Sequence, residues 1–73
     1  MPVLPLLRPR DVTRAFERLS WQIARQRGSH IVMVSVGHVT LSIPDHPRVA
    51  RGTLRALIAK SGLTVEEFMA EVR

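Results

Sequence analysis

Residues 21–43 read WQIARQRGSHIVMVSVGHVTLSI, and the reading of this stretch decides the fold. Apolar residues recur here at a period of two and β-branched side chains are frequent, the pattern of strands with one face covered and one open. Strands are predicted at Trp21–Gln26, Ser29–Ser35 and Val39–Ile43. Gly28 marks the first turn and Val36-Gly37-His38 the second. Turns this short make neighbouring strands antiparallel, so the three runs form a meander in one small sheet.

Upstream, Pro9 stands where a first helical turn accepts proline, because the missing N–H has no intrahelical partner there. Val12, Ala15, Phe16 and Leu19 then fall at i, i+3, i+4 and i+7, an apolar stripe, with Arg10, Arg14, Glu17 and Arg18 on the remaining arc. Pro2, Pro5 and Pro9 keep residues 1–8 extended. Downstream, Pro44 ends the third strand and Pro47 holds residues 45–48 in a loop before a helix that begins near Val49 or Ala50, with Leu54, Leu57 and Ile58 as its core residues. Gly62 suits the left-handed residue that closes this helix. Thr64 with Glu67 forms a capping box opening a short last helix that carries Leu63, Val65, Phe68 and Met69. The expected fold is α+β, one domain over residues 1–73, in the order α-β-β-β-α with a short extra C-terminal helix. Helices on one face of the sheet would leave the other face open, a shape suited to a polymer.

A chain of 73 residues holds one domain with a thin core. The absence of cysteine excludes a disulfide framework and thiolate metal sites and suits a reducing cytoplasm. No apolar run approaches the roughly 18 residues that span a bilayer, and the first residues lack the basic start and cleavage site of a signal peptide. The expectation is a soluble, cytoplasmic protein. Eleven Lys and Arg against six Asp and Glu give a net charge of +5, with Glu66, Glu67 and Glu71 gathered at the C-terminus, so the first sixty residues are the basic part. Every cation but Lys60 is arginine, which forks onto phosphate oxygens and stacks on bases, so RNA or DNA fits better than a membrane. The plainer alternative is a coding bias that put arginine where surface lysine would serve.

There is no glycine-rich phosphate loop, no metal-spaced His/Cys cluster and no close carboxylate pair, which leaves the three histidines as candidates for chemistry. A single histidine can carry a proton near neutral pH. RNA is a substrate for which that suffices without metal or cofactor: the ribose 2′-hydroxyl is an internal nucleophile beside the scissile phosphate, so the protein need only move protons and stabilise negative charge. Taken alone, His30 reads first as a strand-edge histidine with a local hydrogen bond. His38 reads as a solvated turn residue, His46 as a cap for the second helix or a residue ordering its loop, and Trp21 as core rather than a base-stacking platform.

Three motifs in order change the balance: Arg25-Gln26-Arg27-Gly28-Ser29-His30, Ile43-Pro44-Asp45-His46 and Arg51-Gly52-Thr53-Leu54-Arg55. Together with Arg10 to Trp21 and Ser61 to Phe68 they resemble the HicA toxin family over nearly the whole chain. The resemblance implies a fold like the double-stranded RNA-binding domain, an endoribonuclease acting on mRNA, and a HicB-type antitoxin that covers the active site. It places the catalytic histidine at His30, with Gly28 and Ser29 completing the motif. Arg25, Arg27 and Arg51 are candidates for phosphate contacts, with Ser29 beside them, and His46 and Gly52 belong to the other two motifs. For each arginine the alternative is a solvated side chain that keeps the fold soluble. Two departures stand out: Ser20-Trp21 replaces a usual Gly-aromatic pair, and the turn around Gly37 is shorter than the family's second hairpin loop. Two rival functions remain open, a non-catalytic RNA-binding module of the same fold and a basic module that only docks an acidic protein.

Overall fold

The computed structural model describes residues 3–73; Pro2 lies outside them. Helix α1 spans Pro9–Arg18, opens on proline and buries Val12, Ala15 and Phe16 of the expected stripe together with Pro9 and Thr13, while Leu19 is partly buried. Leu19 is its C-cap. Ser20, at φ +73°, then turns the chain into the sheet, where Trp21 N–H donates to the Phe16 carbonyl at 3.0 Å. Strands β1 (Gln22–Arg27), β2 (His30–Val34) and β3 (Leu41–Pro44) lie in the order β1-β2-β3, both pairs antiparallel. They are shorter or displaced by a residue or two from the predicted runs. Trp21 precedes β1 because its indole turns into the core against Phe16, with ring centroids 6.0 Å apart. The β2–β3 connection occupies residues 35–40 and is built on a turn in which His38 N–H donates to the Ser35 carbonyl and Gly37 takes φ +81°.

Helix α2 (Arg51–Ser61) starts after both predicted positions, because Val49 is held extended by a bridge to Leu7 and donates to its carbonyl at 2.7 Å. Gly62 closes it at φ +82°, the left-handed C-cap that glycine adopts without steric cost. Helix α3 (Val65–Met69) has both halves of its capping box, with Glu67 N–H donating to Thr64 Oγ1 at 3.0 Å and Thr64 N–H to Glu67 Oε1 at 2.8 Å. The box aims Phe68 at Phe16, 4.9 Å between centroids.

Cross-strand partners share a face of the sheet. The pairs Ile31↔Ile43 and Met33↔Leu41 point to the helices, where they join Phe16, Leu54, Ile58 and Phe68 in the core. The residues between them, Val32 and Ser42, point away, to a face that no helix among the described residues covers. The beginning of the chain belongs to the core as well. Leu4 is 1% exposed, and Arg51 Nε donates to its carbonyl at 2.7 Å, so the segment predicted as merely extended is strapped across the start of α2.

Candidate active site

The β1–β2 hairpin has a two-residue loop, Gly28-Ser29, between the paired Arg27 and His30. Gly28 at the first central position with φ +57° is the arrangement of a type II′ turn, whose twist matches that of the strands. The loop is pinned to the exit of β3. Asp45 N–H donates to the Ser29 carbonyl at 2.7 Å, and Gln26 Nε2 donates to Asp45 Oδ2 at 2.8 Å while lying 3.4 Å from the Gly28 carbonyl. The first residue of β2, His30, is therefore presented by backbone fixed on both sides.

A β-bulge determines what surrounds it. Ile23 pairs with Met33 on the covered side, and strict alternation would put Arg25 and Arg27 there too. The register slips by one residue between Ile23 and Arg25, so Arg25 pairs with Val32 and Arg27 with His30. One extra residue inverts the facing of everything after it. Both arginines thus share the open face with His30, while Gln26 turns to the side where Asp45 meets it. Two rows result across the sheet: Arg27, His30, Pro44, and beside them Arg25, Val32, Ser42. His30 is exposed, with Nδ1 3.3 Å from Ser42 Oγ. Among the described residues neither the Arg25 nor the Arg27 guanidinium has a hydrogen bond or ion pair. An imidazole beside two unpaired guanidiniums, on a face no helix covers, can move a proton where a phosphate is held.

Residues 9–63 match a family model described as the HicA toxin of bacterial toxin-antitoxin. The chain belongs to the HicA toxin family. The matched span runs from the first residue of α1 through the whole sheet to the residue after the α2 cap, about three quarters of the chain. No curated protein was found to match it. As a HicA protein it is the toxin of a toxin–antitoxin pair and has a cognate antitoxin. Among the described residues no helix is long and apolar enough to cross a membrane.

The remaining motif residues of this HicA chain lie outside the two rows, Ser29 beside His30 in the loop and the others farther away. Arg51 is the first residue of α2 and spends its Nε on Leu4. A side chain at the neighbouring Gly52 would meet open space. Ser29 is exposed, its carbonyl taken by Asp45. His46 does not cap α2: the N-cap is Ala50, with no side-chain hydrogen bond. It lines a shallow cleft of ≈ 380 Å³ with Arg8, Pro9, Arg10, Asp45 and Pro47. There Arg8 Nε meets Asp11 Oδ2 at 3.2 Å, a hydrogen bond that holds the Asp11 carboxyl below the usual carboxylate range. His38 is exposed in its loop as expected, with its ring centroid 5.4 Å from that of Trp21. Ser20 stands at φ +73°, a conformation that residues with a Cβ adopt only under strain and glycine adopts freely, which accords with the glycine expected here from the resemblance. Its carbonyl accepts a hydrogen bond from Ser35 Oγ at 2.9 Å, which ties the strained turn to the end of β2. Gln26, Asp45 and Ser42 escaped sequence reasoning; only the order Ile43-Pro44-Asp45-His46 hinted that the exit of β3 belongs to the site.

Proposed function

We propose that this toxin is an endoribonuclease of the cytoplasm that binds and cleaves mRNA with His30 as its proton carrier, inhibits translation, and is silenced by a HicB-type antitoxin laid over the open face. The observation that carries this reading is the row Arg27, His30, Pro44 with Arg25 alongside, in which both arginines and the histidine are exposed on the face away from the helices. The imidazole takes the proton of a ribose 2′-hydroxyl, the 2′-oxygen bonds to the adjacent phosphorus, and the bond from phosphorus to the 5′-oxygen breaks. The departing 5′-oxygen then receives a proton from the imidazolium or from water. The products are a 2′,3′-cyclic phosphate and a 5′-hydroxyl. Arg25 and Arg27 supply the charge that offsets the extra negative charge on phosphorus, most effectively as bidentate donors. This chemistry draws on the substrate's own nucleophile and asks no metal or cofactor of the protein.

His30→Ala tests it. Removing a general acid–base group costs about 10²–10⁴-fold in rate, which an end-labelled RNA assay resolves, and the side chain is exposed, so the variant should melt like the parent and still retain RNA. Growth arrest should be lost, parental cleavage should persist in chelator, and the 5′ fragment should end in a cyclic phosphate. A folded His30→Ala protein cutting at the parental rate sinks the mechanism. Retention of RNA with no cleavage by either form would instead identify a binding module, and no RNA affinity at all a protein-docking one.

A further inference from the structure

We propose that Ser42 is the positioning residue for His30, fixing its tautomer so that Nε2 is the atom offered to RNA. The inference rests on the reading of His30 as proton carrier and adds which nitrogen does the work and what holds it.

The geometry comes from the register of β2 and β3. On β3, Pro44 stands directly opposite His30 and its ring has neither donor nor acceptor, while on β1 the paired Arg27 makes no hydrogen bond to the ring, so neither direct partner satisfies the imidazole. The diagonal neighbour on the same face is Ser42, paired with Val32. Diagonal pairs lie within reach of long side chains, and the His30 ring leans along the strand to bring Nδ1 within 3.3 Å of Ser42 Oγ. Val32, two residues after His30 on the same face and directly opposite Ser42, is buried although it lies outside the helix-covered core, so an apolar residue adjoins the pair.

A hydroxyl can donate to an imidazole nitrogen or accept from it, and the proton transfer selects between the two. If Oγ donated to Nδ1, the neutral ring would carry its proton on Nε2 and have no lone pair there to take another. Were Oγ the acceptor, Nδ1–H would be satisfied, Nε2 would hold the free lone pair, and Nδ1 would lie on the far side of the ring from the substrate. The acceptor arrangement also survives the reaction: when Nε2 gains the 2′-hydroxyl proton, the imidazolium still donates Nδ1–H to the same oxygen. No partner has to rotate during the transfer, which is the advantage of a preorganised site.

The test joins two measurements on the full chain. In ¹⁵N-labelled toxin, long-range ¹H–¹⁵N correlations of neutral His30 should show Nδ1 protonated and Nε2 bare. In Ser42→Ala the ring should move toward the Nε2–H form that unconstrained imidazole prefers. Single-turnover cleavage should slow by roughly 3–10-fold, the scale of one neutral hydrogen bond, with RNA affinity unchanged, and Ser42→Thr should restore both signals. A parental His30 protonated on Nε2, or a Ser42→Ala protein cutting at the parental rate, overturns the assignment. These failures are distinct from that of the catalytic reading, which His30→Ala decides by itself. If His30→Ala stays active, the proposal has no reaction to serve; if it is inactive and Ser42→Ala is not, Ser42 alone is relieved of the role.

Discussion

The two faces of the sheet are made from the same strands and do opposite things. On β2, Ile31 and Met33 face the helices, and Met33 is fully buried; on the other parity His30 and Val34 are exposed, and Val32 between them is buried yet stands outside the helix-covered core. β3 repeats the division, with Leu41 and Ile43 fully buried and Ser42 exposed between them. β1 departs from it: all six of its residues are exposed, so it adds little to the core and serves chiefly as a carrier of Arg25 and Arg27. Stability is thereby concentrated on one side of β2 and β3, and chemistry can occupy the other side without disturbing it.

Changes that respect or violate this division should be separable by measurement. The largest effect is expected on the covered face. Met33→Ala deletes a fully buried side chain between Ile23 and Leu41 and should cost about 2–5 kcal/mol, a large part of the stability of so small a domain. Denaturant melting reads it directly, and a shift of the midpoint no larger than that of a surface substitution would mean that the two faces are not divided as described. At the seam between helix and sheet, Ser20→Gly should act with the opposite sign. Relief of the left-handed backbone at φ +73° should raise stability by about 1 kcal/mol and leave RNA cleavage alone. A lower melting temperature would show that the Ser20 side chain contributes more than its backbone costs. The smallest stability change belongs to the open face. Replacing Arg25 or Arg27 by Gln should leave melting within about 0.5 kcal/mol of the parent, yet reduce the salt dependence of RNA affinity, whose logarithmic slope on single strands is about −0.7 per phosphate contact. Affinity titrations at several salt concentrations test this, and an unchanged slope removes that arginine from the interface.

What the sequence discloses is what local rules control. The stripe of α1, the turn at Gly28, the stop at Gly62 and the Thr64–Glu67 box each depend on a few neighbouring residues, and each stands where those residues predict it. His30, Arg25 and Arg27 were legible as candidates, but their assembly was not. It depends on a one-residue slip in β1 that alternation alone would have denied, and on a β3 partner twelve residues away. The exact start of α2, with Ala50 as N-cap, is set in a similar way, since the extended Val49 before it is held by Leu7 from the far end of the chain. Arg51 shows the limit of reading charge as function, because its place in a basic motif gave no sign that its Nε would be committed to a backbone carbonyl near the beginning of the sequence.

That strap also bears on the order in which the molecule assembles. The meander closes through short connections, whereas the bond from Arg51 to Leu4 joins residues 47 apart. Chain entropy delays contacts between distant residues until nearer ones have shortened the effective loop, so the first segment should settle only after the sheet and α2 have met. Until it does, the pocket that receives Leu4 stays open to water. A newly made chain therefore has its open face formed before its core is fully closed, and the last step of folding secures the side opposite that face.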